Sequence, residues 1–384
     1  MDPCQGPPKP PGGLCRSSLG YPGPALRRPM WNKPLRLPLP ASLLVCISLL
    51  LAHAPAQAAD SLTVAREANT PPLMNALNLI AEGAGYYKEA DLTVTAYLTH
   101  GPGSREAMLA CASGKADICP VGIEPIIGLH AEGMSLKMFL SRASKFGYVI
   151  AVPQDSPIRT LTDFKGKTLG VHSASGVAGV AATIASLSGV GLTSSDYKIV
   201  TIGMQSQAMD LLASGKADAA VLPLYELIPF MVAGTKLRIM RHPTLGEFSN
   251  AGYAASPQEM ASKGDALKRF SRAIVKAALL IRYNPKAAAR ALLTADGKPV
   301  DEESLKAKTA QLVAWQEDLP ASDPDNKRIG EMSMSGMQAY INLLADSGAI
   351  KAAIPVSEVV TDQYVAFAND FDRKAFEQSA KAAR

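Results

Sequence analysis

The hexapeptide ASGKAD occupies residues 112–117 and returns at residues 213–218, an offset of 101 residues. Its surroundings return at the same offset: Ala107-Met108 as Ala208-Met209, Gly133 as Gly234, and Leu136 as Leu237. Matches that run this far past a turn point to a duplicated unit rather than to one helix-stop signal used twice. In each copy an apolar face comes first. Met108, Cys111 and Ala112 lie at i, i+3 and i+4, as do Met209, Leu212 and Ala213, which is the spacing of one helical stripe. Gly114 and Gly215 then stand where a helix needs a left-handed residue, and Lys115 and Lys216 suit the negative end of the dipole. The apolar runs 116–121 and 217–222 read as buried strands, although periodicity alone does not separate them from buried helix.

Upstream of the first copy, a strand over 62–65 runs into REANTPP, where Asn69 or Thr70 can cap a helix and Pro71 or Pro72 suits its first turn. Leu73, Leu77, Ile80 and Ala84 form its buried stripe, and Gly83 or Gly85 ends it. LTVTAYL from Leu92 alternates as a strand does, and GPGSREAM opens the next helix. The order is β-α-β-α-β, whose connections imply parallel strands. Between the copies, a turn and strand, a small-residue helix and the strand YKIVTIG build a second lobe. Two segments, near 146–152 and 248–255, are expected to cross between lobes as a two-strand hinge. Later, Leu267, Phe270, Ile274, Ala277 and Ile281 mark an amphipathic helix stopped by Asn284-Pro285, and Met334, Met337, Ile341 and Leu344 mark another that Gly348 ends. These helices are expected to brace lobe one. The expected organisation is a leader over 1–58, lobe one over 59–147, lobe two over 148–248, and a return to lobe one over 249–384.

Charge separates the leader from the rest. Lys9, Arg16, Arg27, Arg28, Lys33 and Arg36 stand against Asp2 alone, which accounts for the whole formal net charge of +5. The remainder is neutral, so no basic stripe remains for nucleic acid. Lys33 and Arg36, an apolar segment over 41–52 and a small-x-small site at Ala56-Gln57-Ala58 read as an export signal cleaved near Ala58. Twelve apolar residues fall short of the roughly 20 that span a bilayer. Residues 1–29 are crowded with Pro and Gly, and Met30 is the expected start. The expected location of the soluble mature protein is the periplasm. Cys4, Cys15 and Cys46 leave with the leader; Cys111 and Cys119 remain. An oxidising compartment permits their pairing, while their repeat partners Leu212 and Ala220 fit two plain apolar core positions.

Taken in order, YYKEADLTV, GSREAMLACASGKADI, LTDFKGKTLGV, ASGKADAAVL and FSRAIVKAALLIRYNPKAA resemble the substrate-binding proteins of ABC importers. Within these, the chain is similar to the nitrate, taurine and aliphatic-sulfonate group, which includes binders of thiamine-precursor pyrimidines. The resemblance runs from about Leu62 to about Phe371. It implies a bilobed α/β fold of the type 2 periplasmic-binding-protein class, closing on a small ligand and delivering it to a membrane permease with its ATPase. A monomer is expected.

Ligands of open α/β sheets bind beyond the carboxyl ends of the strands, where helix N-termini favour anions. Gly101, Gly103 and Ser104 on one wall, and Ser173, Ser175 and Gly176 on the other, are the anion-facing candidates, with Asn69 and Thr70 at the first strand end. Each also serves as plain turn or cap chemistry. Glu124 and Glu226 would repel a sulfonate but suit an amine or ring N–H. Arg66 and Arg142 can pair those acids or grip an anion, and Tyr148 and Tyr225 can stack on a heterocycle. No catalytic or metal motif is present: His100, His130, His172 and His242 lack metal spacing, and H-E-x-x-H, C-x-x-C, G-x-S-x-G and G-x-G-x-x-G are absent. No cofactor is expected. An enzyme of this fold makes a pyrimidine with pyridoxal phosphate through a CCCFC run, which this chain lacks. A sensory module presenting ligand to a receptor is the other alternative.

Overall fold

In the computed structural model the described residues are 60–68, 72–99, 105–172, 177–202, 205–242, 245, 248–321, 323 and 325–383. The leader lies outside them. Lobe one begins with β1 (Asp60–Glu67), a 3-10 turn (Pro72–Asn75), α1 (Ala76–Gly83), α2 (Tyr86–Glu89) and β2 (Leu92–Thr99). It continues with α3 (Arg105–Ala112), β3 (Cys119–Gly122), α4 (Ile123–Ala131) and β4 (Lys137–Ser141). Lobe two comprises β5 (Tyr148–Pro153), β6 (Thr168–His172), α5 (Val177–Ser188), β7 (Lys198–Ile202), α6 (Gln205–Ala213), β8 (Ala219–Pro223), α7 (Leu224–Val232) and β9 (Leu237–Met240). The chain then returns through β10 (Ala251–Ala255) to the helices α8 (Pro257–Ser262), α9 (Gly264–Tyr283), α10 (Pro285–Ala295), α11 (Glu302–Trp315), α12 (Met334–Asp346), α13 (Val365–Asn369) and α14 (Arg373–Ala382).

The two copies of the repeat fall in different sheets. In lobe one, β1 and β2 pair in parallel, Val64 bridges Ile118 in parallel, and β10 lies between β3 and β4. Lobe two is a five-stranded sheet ordered β7-β6-β8-β5-β9. Strands joined by crossover helices are parallel, as β6 is to β7 and β8. The strands that follow a crossing depart from the parallel expectation: β5 runs antiparallel to β8 and β9, and β10 antiparallel to β3 and β4. Each enters its sheet from the other lobe without a crossover helix to set a parallel direction.

The recurrence of ASGKAD has a physical explanation in both lobes. Gly114 and Gly215 take φ of +74° and +68°, and the next amide closes the helix end, Lys115 N–H on Ala110 O at 2.8 Å and Lys216 N–H on Leu211 O at 3.0 Å. The final Asp then pins the turn to a strand. Asp117 Oδ2 accepts from Thr63 N–H at 2.7 Å, and its own N–H donates to Thr63 O at 2.8 Å. Asp218 makes the same pair of bonds with Thr168, both at 2.8 Å. A helix stop and a strand anchor are therefore encoded in six residues.

The C-terminal helices brace lobe one. Leu267, Phe270, Ile274, Ala277 and Ile281 of α9 are all at most 1 % exposed and join the core that includes Leu62, Leu77 and Ile80. Asn284 ends α9, and its Oδ1 caps α10 through Ala287 N–H at 3.0 Å. The first helix starts later than its expected caps, since a 3-10 turn over Pro72–Asn75 precedes it. Cys111 and Cys119 are joined as a disulfide, their Cα atoms 6.2 Å apart.

Candidate functional site

Residues 142–147 carry the chain from β4 to β5, and residues 241–250 return it from β9 to β10. These two crossings are fastened to each other. Asn250, 1 % exposed, accepts from Gly147 N–H through Oδ1 at 3.0 Å, and Arg241 Nη1 donates to Phe146 O at 2.6 Å. Each crossing also receives one helix tip. Ile123 N–H, at the start of α4, donates to Asn250 O at 2.8 Å, and Leu224 N–H, at the start of α7, donates to Gly147 O at 3.1 Å. Ile123 and Leu224 are repeat partners, so the duplication brings one helix tip from each lobe onto a shared pivot. A carbonyl at a helix tip satisfies an orphan N–H and suits the positive end of the dipole.

Glu124, next along α4, is enclosed in this pivot with 0 % exposure. Its Oε1 accepts from Asn250 Nδ2 at 2.7 Å and from Tyr340 Oη at 2.6 Å, while Oε2 has no hydrogen-bond partner among the described residues. Burial holds its carboxyl above the ordinary range, with these hydrogen bonds pulling the other way. Burial and then the Glu124 charge raise the Tyr340 hydroxyl well above its usual value. Gly122 leaves room for the acid, since a Cβ there would stand 2.7 Å from Glu124 Oε2.

Tyr225 and Glu226 open α7 directly after β8. Glu226 is 6 % exposed. The Tyr225 ring meets Trp315 of α11 edge-on, centroids 6.2 Å apart, and the Arg142 guanidinium carbon lies 5.9 Å from the Tyr225 centroid. Arg142 Nη1 donates to Met74 O at 3.2 Å, in the turn that follows β1. The carboxyl end of β8 in lobe two therefore meets the segment beyond β1 in lobe one. A second contact lies at α5, whose Ala181, Ala182 and Ala185 share a core with Ile127 of α4 and Ile341 of α12.

Of the residues proposed from sequence, Asn69, Thr70, Gly103, Ser104, Ser173, Ser175 and Gly176 lie outside the described residues, as does Gly101. Glu124 sits in the pivot, and Tyr225 and Glu226 sit at the contact between lobes. Arg142 joins Tyr225 there, whereas Arg66 stands near Glu82, whose carboxyl is raised by burial against the pull of that arginine. Asn250, Tyr340 and Trp315 were not found from sequence. Asn250 left one signal, a polar Ser-Asn pair inside the crossing stretch FSNAGYAAS; Tyr340 left none. Among the described residues no cluster of three or more potential metal ligands occurs, and no helix is long and apolar enough to cross a membrane.

Two α/β lobes joined by two crossings, with helix tips of both lobes on a common pivot, define the bilobed periplasmic-binding-protein class. The sequence model described as NMT1/THI5 like matches residues 75–288, more than half of the chain. The chain belongs to that family. A comparison with curated proteins finds no match. Among solved structures, a protein of Bordetella bronchiseptica RB50 is 21% identical with a TM-score of 0.60, covering 81% of this chain and 97% of that one. The alkanesulfonate-binding protein SsuA from Xanthomonas axonopodis pv. citri, bound to MOPS, is 16% identical with a TM-score of 0.59, covering 78% and 98%. The periplasmic aliphatic sulphonate binding protein SsuA from Escherichia coli is 15% identical with a TM-score of 0.58, covering 79% and 92%. The desulfurization enzyme DSZB shares the fold at 18% identity and a TM-score of 0.50, covering 81% and 98%. At these identities the likeness is one of fold, and the fold hosts both binding proteins and an enzyme.

Proposed function

We propose that this protein is a periplasmic solute-binding protein that captures a small organic anion or heterocycle between its lobes and delivers it to an ABC permease and its ATPase. The lobes divide near residues 147 and 248, and the export signal over the first 58 residues is removed near Ala58. The protein acts as a monomer and performs no chemistry on its ligand. The observation that carries this reading is the pivot: Ile123 and Leu224, equivalent in the repeat, bond Asn250 O and Gly147 O, and Asn250 bonds Gly147. Such a pivot lets the lobes turn as bodies while the bonds at their root persist.

Ligand drives closure by binding the closed form better. Moving from mostly open to mostly closed needs about 5.5 kcal/mol of preference, and micromolar affinity supplies about 8 kcal/mol. A thermal-shift screen of sulfonates, nitrate, taurine, pyrimidines and small aromatic acids, followed by small-angle scattering with each hit, tests the reading. Stabilisation by one class with a smaller radius of gyration supports it. Scattering profiles that coincide with and without saturating ligand sink the closure step, and a screen in which no class stabilises the protein sinks the binding role.

A further inference from the structure

Arg142 is a half-buried cation in the first crossing. Its side chain has one described acceptor, Met74 O on lobe one, and it reaches the Tyr225 ring on lobe two. No ion pair among the described residues joins it to a carboxylate, whereas Arg241, from the other crossing, is paired with Asp318 at 2.5 Å. The Arg142 Nη2 and Nε groups have no acceptor among the described residues. A guanidinium partly withdrawn from water favours any arrangement that meets its remaining donors, and its planar fork matches the two oxygens of an oxyanion.

The neighbouring ring is that of Tyr225, half-buried at the start of α7, with Trp315, 7 % exposed, backing it edge-on from the core. A half-buried aromatic ring beside a cation suits a flat apolar body rather than an extended polar one. The nearby acids do not contradict an anion. Glu124 is enclosed with Asn250 and Tyr340, and Glu226 follows Tyr225 by about 100° of helix rotation, which sets it on a different side of α7.

We propose that Arg142 reads the acid group of a planar organic oxyanion whose ring lies against Tyr225. This inference rests on the solute-binding reading above and narrows its ligand class. Carboxylates and sulfonates share the required chemistry, and the choice between them is left to experiment.

The test titrates the full chain, carrying Trp31→Phe so that Trp315 is its only tryptophan, with benzoate, benzenesulfonate, benzamide and 4-aminopyrimidine. Calorimetry gives affinity, and Trp315 emission reports occupancy beside Tyr225. We expect benzoate or benzenesulfonate to bind at least about tenfold tighter than benzamide and to alter Trp315 emission. Arg142→Gln should weaken that oxyanion by about 10–100-fold, the range for losing charge-assisted hydrogen bonds, with benzamide unaffected. Arg142→Lys, which keeps the charge and loses the fork, should fall between and serves alone if Arg142→Gln does not fold. Full oxyanion affinity in Arg142→Gln, or in Arg142→Lys where only that variant folds, overturns the inference. Binding of benzamide or 4-aminopyrimidine without either oxyanion overturns it while leaving solute binding standing; silence from all four counts against both.

Discussion

Replacing Asn250 by alanine removes one of the bonds that tie the two crossings and one of the two that hold Glu124 Oε1. The loss is large because the site is closed: Asn250 is 1 % exposed and Glu124 0 %. A hydrogen bond to a charged group contributes about 1.5–3 kcal/mol, and an ordinary one about 0.5–1.5 kcal/mol. Together they predict a destabilisation of about 2–4 kcal/mol, or a melting temperature lowered by roughly 3–6 °C for a body of this size. Asn250→Asp separates the two contributions. Its carboxylate still accepts from Gly147 N–H but confronts the Glu124 carboxylate across 2.7 Å, which favours sharing of a proton. Its deficit should therefore shrink more steeply as pH falls from 7 toward 5 than that of Asn250→Ala, which loses only a donor that favours the Glu124 charge. Differential scanning calorimetry across pH measures both. An alanine variant melting within about 1 °C of the parent would refute the claim that these bonds hold the pivot.

Glu124→Gln tests the buried acid itself. Its raised carboxyl pKa means the folded protein holds the proton more tightly than the unfolded chain, so this contribution is fully present below the ordinary value near 4.5 and is lost as pH rises through the raised value. The parent's stability should fall with rising pH across that window, and a Glu124→Gln variant whose melting profile keeps the same slope would show that another group is responsible. The duplicated anchors should differ in weight: Asp117, 5 % exposed and 2.5 Å from Lys263, should cost about 2–3 kcal/mol on change to Ala, against about 1–2 kcal/mol for Asp218, whose contact with Lys167 is 3.8 Å. Urea unfolding of both variants reads this order, and equal losses would contradict it. Gly83→Ala places a Cβ 2.1 Å from Ala291 O and should destabilise by about 1–3 kcal/mol or more, whereas Gly128→Ala meets nothing within 4 Å inside α4 and should stabilise by up to about 1 kcal/mol. Thermal melts that rank the two glycines the other way would expose an error in the α1–α10 contact.

The repeat was readable because its chemistry is local. A glycine φ, a helix-closing amide and an aspartate clamping a strand all lie within a few residues of the hexapeptide or one strand away. The α9 stripe was readable for the same reason, as 3.6-residue periodicity needs no partner to be seen. Glu124 illustrates what local reading cannot supply. Its environment comes from Asn250, 126 residues on, and Tyr340, 216 residues on, so nothing near it in the chain distinguished an enclosed acid from a ligand-facing one. The antiparallel entry of β5 and β10 was likewise hidden, since strand direction after a crossing depends on which neighbour the chain meets. Tyr225 was named as a possible stacking ring, but its company with Trp315 and Arg142 joins three distant segments.

The alanine face of α5 has a thermal consequence. Ala181, Ala182 and Ala185 lose no rotamer freedom on contact, so the α5 side of this seam releases no side-chain disorder on parting to favour the open state. What resists parting is the bare methyl surface, whose aversion to water weakens in the cold. Chilling should thus loosen the grip between hemispheres, and gentle warming should tighten it until the protein melts.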